Sequence, residues 1–557
     1  MKTTLLRIGA IAVALQILSA SAQTQVLYVV PSGTAGNSPA SPYATWETAA
    51  NSIADALSAV TDEAVINVKP GVYNIGQQIN VDKPNVTIQS CDESGSLARE
   101  TTILDGGYPE RYEGEEAKAT SNRLFYICSE NVTLRGLTLR NSIYAGNGGG
   151  IYVESTFKKP GSGKTYNVVN FIIDTCVISN CHAIAGDNGK GGGVAYASYA
   201  NRGHVITKST IRNCVASKYG GGINGNGNAQ VTRTSHLLIT GSEFIGNKTQ
   251  RPGGGGSLFG IHLGAGSTWS ENCLFKGGSS NGSLSSAFNT ACDSVFTNCV
   301  MESLAAGGTP GANGGKNSFY DCLFHSTNLG SSDVYIFEGC VFSNMLSAAA
   351  SYVFFGADCK VRNCLWTCSN HPMTANGQIE NCTIAGNNTV GFLCATAGSQ
   401  PQLINCIVYG NKYHNDYKGP NIGYRSPWSA GVSASLTLKN CYIENGDESS
   451  IPNPQNSKAA TLLQDFDSTG ATAAIIAKAK AKGPGFVDEA NGDWRLTRKS
   501  PLRDAGLNAD WMVNATDLEG KPRLLQLNGK YSATATVDLG CYECDLPIEQ
   551  KLCIMVR

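Results

Sequence analysis

Charge is scarce in this chain of 557 residues. Asp, Glu, Lys and Arg make up 15% of it, and 42 basic against 43 acidic residues leave a net charge of −1. With no basic block, that balance excludes nucleic acid and an anionic membrane surface as electrostatically held partners. Long apolar runs are missing too. None reaches 18 residues, so no membrane-spanning helix is expected once a leader is removed. Histidine is rare: the seven, at 182, 204, 236, 262, 325, 371 and 414, show no ligand spacing and read as corner or surface residues.

What is present begins with an export signal over 1–22. Lys2 and Arg7 supply a positive region, Ile8 to Leu18 is apolar but too short to span a bilayer, and Ala20-Ser-Ala22 offers the small residues of a cleavage site. Gln23 becomes the first mature residue. The protein is expected to be exported: extracellular, at the cell surface or periplasmic. Cleavage leaves no Cys for a lipid anchor. Twenty cysteines in an exported chain would ordinarily imply a disulfide framework.

A repeat argues otherwise. Asn-Cys-Thr-Ile-Ala-Gly-Asn at 381–387 returns as Asn-Cys-Ile-Val-Tyr-Gly-Asn at 405–411, with looser copies elsewhere. Its index residue falls at Cys176, Ser209, Ser242, Cys273, Cys299, Cys322, Cys340, Cys364, Cys382, Cys406 and Cys441, with Leu137 as an earlier member. The spacings from Cys176 are 33, 33, 31, 26, 23, 18, 24, 18, 24 and 35 residues. That variation suits a coil with a constant core and corners of variable length, not a helical-hairpin solenoid of fixed period. The index residue and the one two further on are small or apolar, which is a short strand with one face inward. Asn at 180, 213, 247, 387, 411 and 445 reads as the left-handed residue of a tight corner.

Three short strands per coil with such corners define an all-β, right-handed parallel β-helix. Its rungs stack about 4.8 Å apart, so equivalent residues form columns. Equivalent Cβ atoms then lie beyond the roughly 3.8 Å of a disulfide. The repeated Cys reads as a small buried apolar residue, and a one-dimensional column offers no tetrahedral metal set. Cys359/Cys368 and Cys181/Cys214 remain candidate disulfides off the index column.

The expected organisation is as follows. Residues 23–64 carry a short strand (Val26–Val30) and an amphipathic helix over Thr45–Val60 that caps the coil. The coil occupies 65–446, and residues 447–482 are a linker or excursion. A C-terminal β cap spans 483–545, and a tail spans 546–557. Gly clusters at 148–150, 191–193, 220–222 and 253–256 precede strands, not helices, and no Lys-Ser/Thr follows. They are corners of the coil, not phosphate loops.

The Gly-Gly-x-Ile/Val segments alternating with Phe-x-x-Asn units resemble the repeats of polymorphic outer-membrane proteins. The 65–445 region resembles the pectin-lyase-like β-helix superfamily. Gly483-Pro-Gly-Phe-Val-Asp488, Ser500-Pro-Leu-Arg-Asp-Ala-Gly506, Asp517-Leu-Glu-Gly-Lys-Pro-Arg523 and Val537-Asp-Leu-Gly-Cys-Tyr-Glu543 resemble the choice-of-anchor Q domain. That domain usually ends Asp-x-Gly-Ala-Tyr-Glu; here Cys541 replaces the Ala. The resemblance implies a surface-anchoring tail, and no anchor is visible in 544–557.

The superfamily contains polysaccharide lyases and polygalacturonase-type hydrolases. The hydrolase motifs Asp-Asp and Gly-His-Gly do not occur. Arg498-Lys-Ser-Pro-Leu-Arg503 only superficially matches Arg-x-Pro-x-x-Arg, because its Pro is displaced. Asp174, Asp187, Glu243, Asp293, Asp321 and Asp358 are scattered, although stacking could join Asp321 to Asp293. In the terminal segment, Asp504, Asp517, Arg523, Asp538 and Glu543 read either as a buried Arg–carboxylate network closing the last rungs or as a carbohydrate- or ion-binding set. No cofactor is expected; Ca²⁺ would belong to a lyase alone. The expected function is polysaccharide or cell-surface glycan recognition with no identifiable catalytic set. A divergent polyuronate lyase and a protein-binding adhesin are the alternatives.

Overall fold

The computed structural model describes residues 24–545 apart from 62, 109–121, 159–162, 186–188, 198–201, 226–235, 250–260, 264–266, 281–287, 291–293, 305–316, 328–334, 346–352, 356–358, 395–399, 414–419, 425–435, 445–481 and 526–534. The export signal, the linker and the tail expected from sequence lie outside these residues.

Short parallel strands stack into long sheets. The first sheet has 15 strands, running from Gln25–Val29 to Thr437–Lys439. The second also has 15 and carries the index residues at its entry. The third face consists of a seven-stranded and a four-stranded sheet. Register is kept residue for residue, as in Ile379↔Leu403↔Leu438. The inward residues form one continuous core from Leu27 to Ile443. The all-β parallel coil expected from the repeat is the observed fold.

Each rung turns through left-handed residues on both sides of the index strand. One immediately precedes the index residue: Thr175, Lys208, Gly241, Asn272, Asn298, Asp321, Gly339, Asn363, Asn381, Asn405 and Asn440 all have φ between 48° and 67°. The other lies four residues after it, at Asn180, Asn213, Gly246, Gly277, Ser303, Ser326, Asn344, Cys368, Gly386 and Gly410. Asn tolerates this backbone because its short amide relieves the Cβ–carbonyl clash locally. Asn180 and Asn213 are therefore corners, as expected. Asn247, Asn387 and Asn411 are not. They sit one residue past the corner and point inward, 0–7% exposed. Their amides serve backbone groups of adjacent rungs: Asn387 Oδ1 accepts from Ser369 N–H, and Asn411 Nδ2 donates to Ile384 O. Cys181 and Cys214 occupy the same second inward column. Asn445 lies outside the described residues.

The index column is buried throughout, at 0–4% exposure. It is more polar than an apolar reading allows. Each thiol of Cys176, Cys273, Cys299, Cys322, Cys340, Cys364, Cys382, Cys406 and Cys441 donates to the carbonyl two residues before it, at 3.0–3.6 Å. Ser209 and Ser242 do the same at 2.7 and 2.9 Å. The hydroxyls also accept from the preceding rung: Cys176 N–H reaches Ser209 Oγ and Ser209 N–H reaches Ser242 Oγ. A small donor–acceptor suits this position because the N–H groups of Cys176 and Ser209 find their acceptor in the index side chain of the next rung. Burial pushes the Cys176 thiol up to about 12, which keeps it a protonated donor.

The candidate disulfides do not form. Cys181 and Cys214 are free thiols in adjacent rungs, and Cys368 is a free, exposed thiol while Cys359 is buried. Equivalent side chains one strand spacing apart are too far for an unstrained bridge.

Two further inward columns are aromatic. Phe296, Phe319 and Phe337 stack at 4.8 and 5.1 Å, nearly parallel. Phe324 stacks on Phe342 at 4.8 Å. Offset stacks add about 0.5–1.5 kcal/mol each beyond area burial.

At the N-terminus the expected long helix shrinks to Ile53–Ser58, capped by the Ser52 side chain. Thr45 to Asn51 are not helical, because Ala50 instead bridges to Val29. Ile53, Ala56 and Leu57 join the core of the first rungs. Trp46 lies outside the helix, against Tyr28 at 4.5 Å.

The terminal segment departs most from expectation. Among the described residues after 443, none shares an apolar cluster with the inward residues of the last rung, Leu438, Cys441 and Ile443. Instead the segment lies sideways on the outer face of the second sheet. Phe486, Trp494, Leu496, Leu502, Leu539 and Cys541 pack on the outward residues Leu365, Ala385, Ile407 and Tyr442. Those outward positions are apolar, so the coil itself presents a hydrophobic flank that must be covered.

Candidate functional site

Four of the five terminal residues picked out by sequence form one buried network. Arg523 is fully buried and pairs with Glu543 at 3.1 Å. It also donates to the carbonyls of Asp538 and Gly540 and to Asn363 Oδ1. Asp517 accepts from the N–H groups of Glu519, Lys521 and Glu543. Asp538 accepts from those of Asp504 and Cys544, and Glu543 from that of Asp538. These carboxylates are 3–4% exposed and spend their oxygens on backbone donors. Burial pushes Asp538 up to about 6 and raises Asp517 and Glu543. Asp504 contributes its backbone N–H to the set, while its side chain faces solvent from a left-handed residue. The network works as a clamp that shapes the terminal segment.

What the clamp holds is the corner column of the coil. Asn363, Asn381, Asn405 and Asn440 donate to the carbonyls of Thr516, Asp538, Leu507 and Ala505 respectively. Leu507 N–H returns a bond to Asn405 Oδ1 at 2.8 Å. Trp494 Nε1 donates to Thr367 Oγ1 at 3.0 Å.

The surface that sequence reasoning missed lies on the third face, near its start. Tyr126 and Tyr152 occupy the outward position of neighbouring strands Phe125–Ile127 and Ile151–Val153. Their rings stack at 5.8 Å and 15°. The guanidinium of Arg123 lies 3.7 Å from the Tyr144 ring centre, 4.8 Å from Tyr152 and 5.6 Å from Tyr126. Arg123 is buried, and burial lowers its pKa, an effect the nearby tyrosines oppose. Cation–π contacts of such a desolvated Arg contribute about 2 kcal/mol or more. Arg123 thus props three half-buried tyrosines from beneath. Tyr126 hydroxyl donates to Glu154 at 2.8 Å, and Glu154 in turn accepts from Ser155 N–H. Burial, then this carboxylate, raise the Tyr126 pKa and keep the phenol protonated. One rung further on, Lys190 stacks beyond Asn147, and Lys190 and Lys218 approach the Tyr219 ring at 5.8 and 5.4 Å. The arrangement is an aromatic platform with one carboxylate bonded to it, and a second cation–aromatic group, Lys190, Lys218 and Tyr219, lies in the rungs beyond.

The remaining sequence candidates do not converge. Asp174 pairs with Arg135 at 2.9 Å, and Glu243 accepts from Thr210. Asp321 is a left-handed corner residue; Asp187, Asp293 and Asp358 lie outside the described residues. Arg503 is buried and donates to the carbonyls of Arg498 and Cys544. Two histidines expected at corners or the surface are in the interior. His182 is 5% exposed, and burial lowers it to about 4. His204 is fully buried, stacks on Tyr196 and accepts Phe171 N–H at Nδ1. Among the described residues, no group of three or more His, Cys, Asp or Glu is arranged to hold a metal ion, and no helix is long and apolar enough to cross a membrane.

Residues 307–463 match the family model described as "Right handed beta helix region". The coil is a right-handed parallel β-helix. Several solved structures are similar to this chain at low sequence identity. A mannuronic acid specific polysaccharide family 6 lyase from human gut microbiota is 11% identical over 73% of this chain and 87% of its own, with TM-score 0.36. The pectin methylesterase from Aspergillus niger is 15% identical over 55% and 85%, with TM-score 0.31. The pectate lyase Pel9A is 15% identical over 94% and 97%, with TM-score 0.28. No curated protein matches the sequence.

Proposed function

We propose that this is an exported β-helix protein that recognises a polysaccharide, and that the contact face is the tyrosine platform of Arg123, Tyr126, Tyr144, Tyr152 and Glu154. The observation that carries the reading is the stacked Tyr126–Tyr152 pair with Arg123 beneath it. Sugar rings present C–H faces to aromatic rings and hydroxyls to the polar groups around them. The Tyr126–Glu154 bond fixes one phenol so that its oxygen accepts from a sugar hydroxyl. Lys190 and Lys218 add charge on one side and favour acidic sugars. The reading is one of binding. The terminal segment 483–545, with its choice-of-anchor-Q-like motifs, serves the coil as a lateral clamp, and the N-terminal signal accounts for export.

A glycan array probed with the full chain tests this, coupled to absorbance for unsaturated uronate products. Binding is expected, with Tyr126→Ala and Tyr152→Ala each weakening it about tenfold in a chain that still folds. Absence of binding to every neutral and acidic glycan would overturn the reading. Release of unsaturated products would replace it with lyase activity.

A further inference from the structure

From Cys273 to Cys441 the index residue is cysteine at eight successive rungs. The residue after each pairs in register with its counterpart one rung on, as in Leu274↔Val300, Val300↔Leu323 and Val341↔Leu365. The thiols therefore form a column without slip, whatever the loop lengths between rungs. All eight are free thiols, 0–4% exposed. Neighbours in the column interact: Cys299 with Cys273 and Cys322, and Cys406 with Cys382 and Cys441. Cys176 stands apart, because the next two rungs carry Ser209 and Ser242.

Such a column suits one metal geometry. Two metal–thiolate bonds of about 2.3 Å laid end to end span about 4.6 Å, and adjacent strands lie about 4.7–4.9 Å apart. A cation held in line between two sulfurs thus fits between rungs without moving the backbone. Each Cβ–Sγ bond points into the coil, across the stacking direction, and a sulfur bends sharply at its bonds. Its second bond then runs along the column toward the next thiol. This two-ligand set is of a different kind from the groups of three or more ligands that the described residues lack. Charge selects further, because a net charge in an apolar interior is costly. A divalent ion neutralises two thiolates, and a monovalent ion leaves one negative charge over. The ion that is soft, divalent and two-coordinate in line is Hg²⁺.

We propose that the cysteine column binds Hg²⁺, one ion between two adjacent thiols, as a linear bis-thiolate. For each ion two S–H bonds break, two Hg–S bonds form and two protons leave to solvent. Those protons are the ones the thiols donate to the carbonyls two residues before them. The N–H of Cys340 already points at Cys364 Sγ, 3.4 Å away, and remains as a donor to the thiolate. A thiolate bonded to one ion takes no second ion on its far side, because a sulfur with three bonds is pyramidal and the column would hold those two bonds straight. Ions therefore fill alternate gaps, and the eight thiols hold four. Entry is through local opening of the rungs.

The test exploits this counting. The full chain, reduced and with accessible thiols first blocked by iodoacetamide, is incubated with mercuric chloride to constant loading. Singly held mercury is stripped with dilute glutathione, and the mercury that remains is counted. Serine already holds this position at Ser209 and Ser242 with the same hydrogen bond, so serine variants keep the fold. Cys273→Ser with Cys299→Ser leaves a run of six thiols and is expected to lose one ion. Cys299→Ser with Cys340→Ser isolates two thiols, leaves a run of four and is expected to lose two ions. Equal losses from the two variants, zero included, would overturn the proposal. X-ray absorption of the loaded wild type is a second readout that needs no variant. Two sulfur neighbours per mercury are expected, and a third or fourth would overturn it.

Discussion

The flank of the second sheet presents one residue pattern in two situations. In the rungs of Asn363, Asn381, Asn405 and Asn440, the left-handed corner is 0–2% exposed and bonded to the terminal segment. In the rungs of Asn272 and Asn298, the same residue type with the same backbone is exposed, and the Asn298 side-chain amide donates to Asn272. The coil does not require Asn there. Thr175, Lys208, Gly241, Asp321 and Gly339 hold equivalent corners. What distinguishes the covered rungs is a requirement for donors and acceptors that reach outward to another part of the chain. The Asn-Cys pair thus faces two ways: Cys satisfies the inside of the corner, and Asn is available to the outside.

The sharpest way to break the comparison is to remove the clamp. Arg523→Ala leaves Glu543 buried without its cation and is expected to cost about 3–5 kcal/mol, read as an early unfolding transition of the terminal segment in denaturant. A single transition at the wild-type midpoint would show that the clamp holds nothing.

Next in size is Asn405→Ala. It strands both the carbonyl and the N–H of Leu507, for about 1–3 kcal/mol. The same substitution at the exposed Asn298 should change stability by no more than about 0.5 kcal/mol. Equal losses at the two sites would mean that Asn serves the corner itself and not what docks on it.

Protonation provides a graded test. Burial raises Asp538 to about 6 from an ordinary value near 3.8. A carboxyl so raised binds its proton more tightly in the folded state. Its stabilising effect is full below about pH 4 and is lost as pH rises through about 6. Asp517 and Glu543 shift the same way. Amide protection over 537–541, corrected for intrinsic exchange, should therefore fall between pH 4.5 and 7.5, and the covered corners should come to resemble the exposed ones.

Much of the coil was legible because its inward columns repeat. Cys382 and Ile384, or Cys406 and Val408, announce a strand with one buried face whatever the loop lengths between copies. Asn247, Asn387 and Asn411 were misread because Asn is a common left-handed residue, whereas the Gly before each, at 246, 386 and 410, takes the corner and leaves the Asn one position later, facing inward. The lateral position of the terminal segment was hidden for another reason. Asn363 meets Thr516 and Asn381 meets Asp538 across more than 150 residues, and an apolar outward residue such as Leu365 or Ile407 resembles ordinary strand composition. The tyrosine platform had a faint signal: Phe125-Tyr-Ile and Ile151-Tyr-Val share an apolar-Tyr-apolar pattern. Placing them side by side, with Arg123 under both, required the register.

Hydrogen exchange of the Arg523→Ala chain, mapped by residue, tests the central claim most directly. A lateral clamp predicts loss of protection over 502–508 and 537–543 while the last rung, 436–443, stays as protected as in the wild type. Loss of protection spreading into 436–443 and on into the rungs beneath would contradict it, and would show the terminal segment to be an end cap after all.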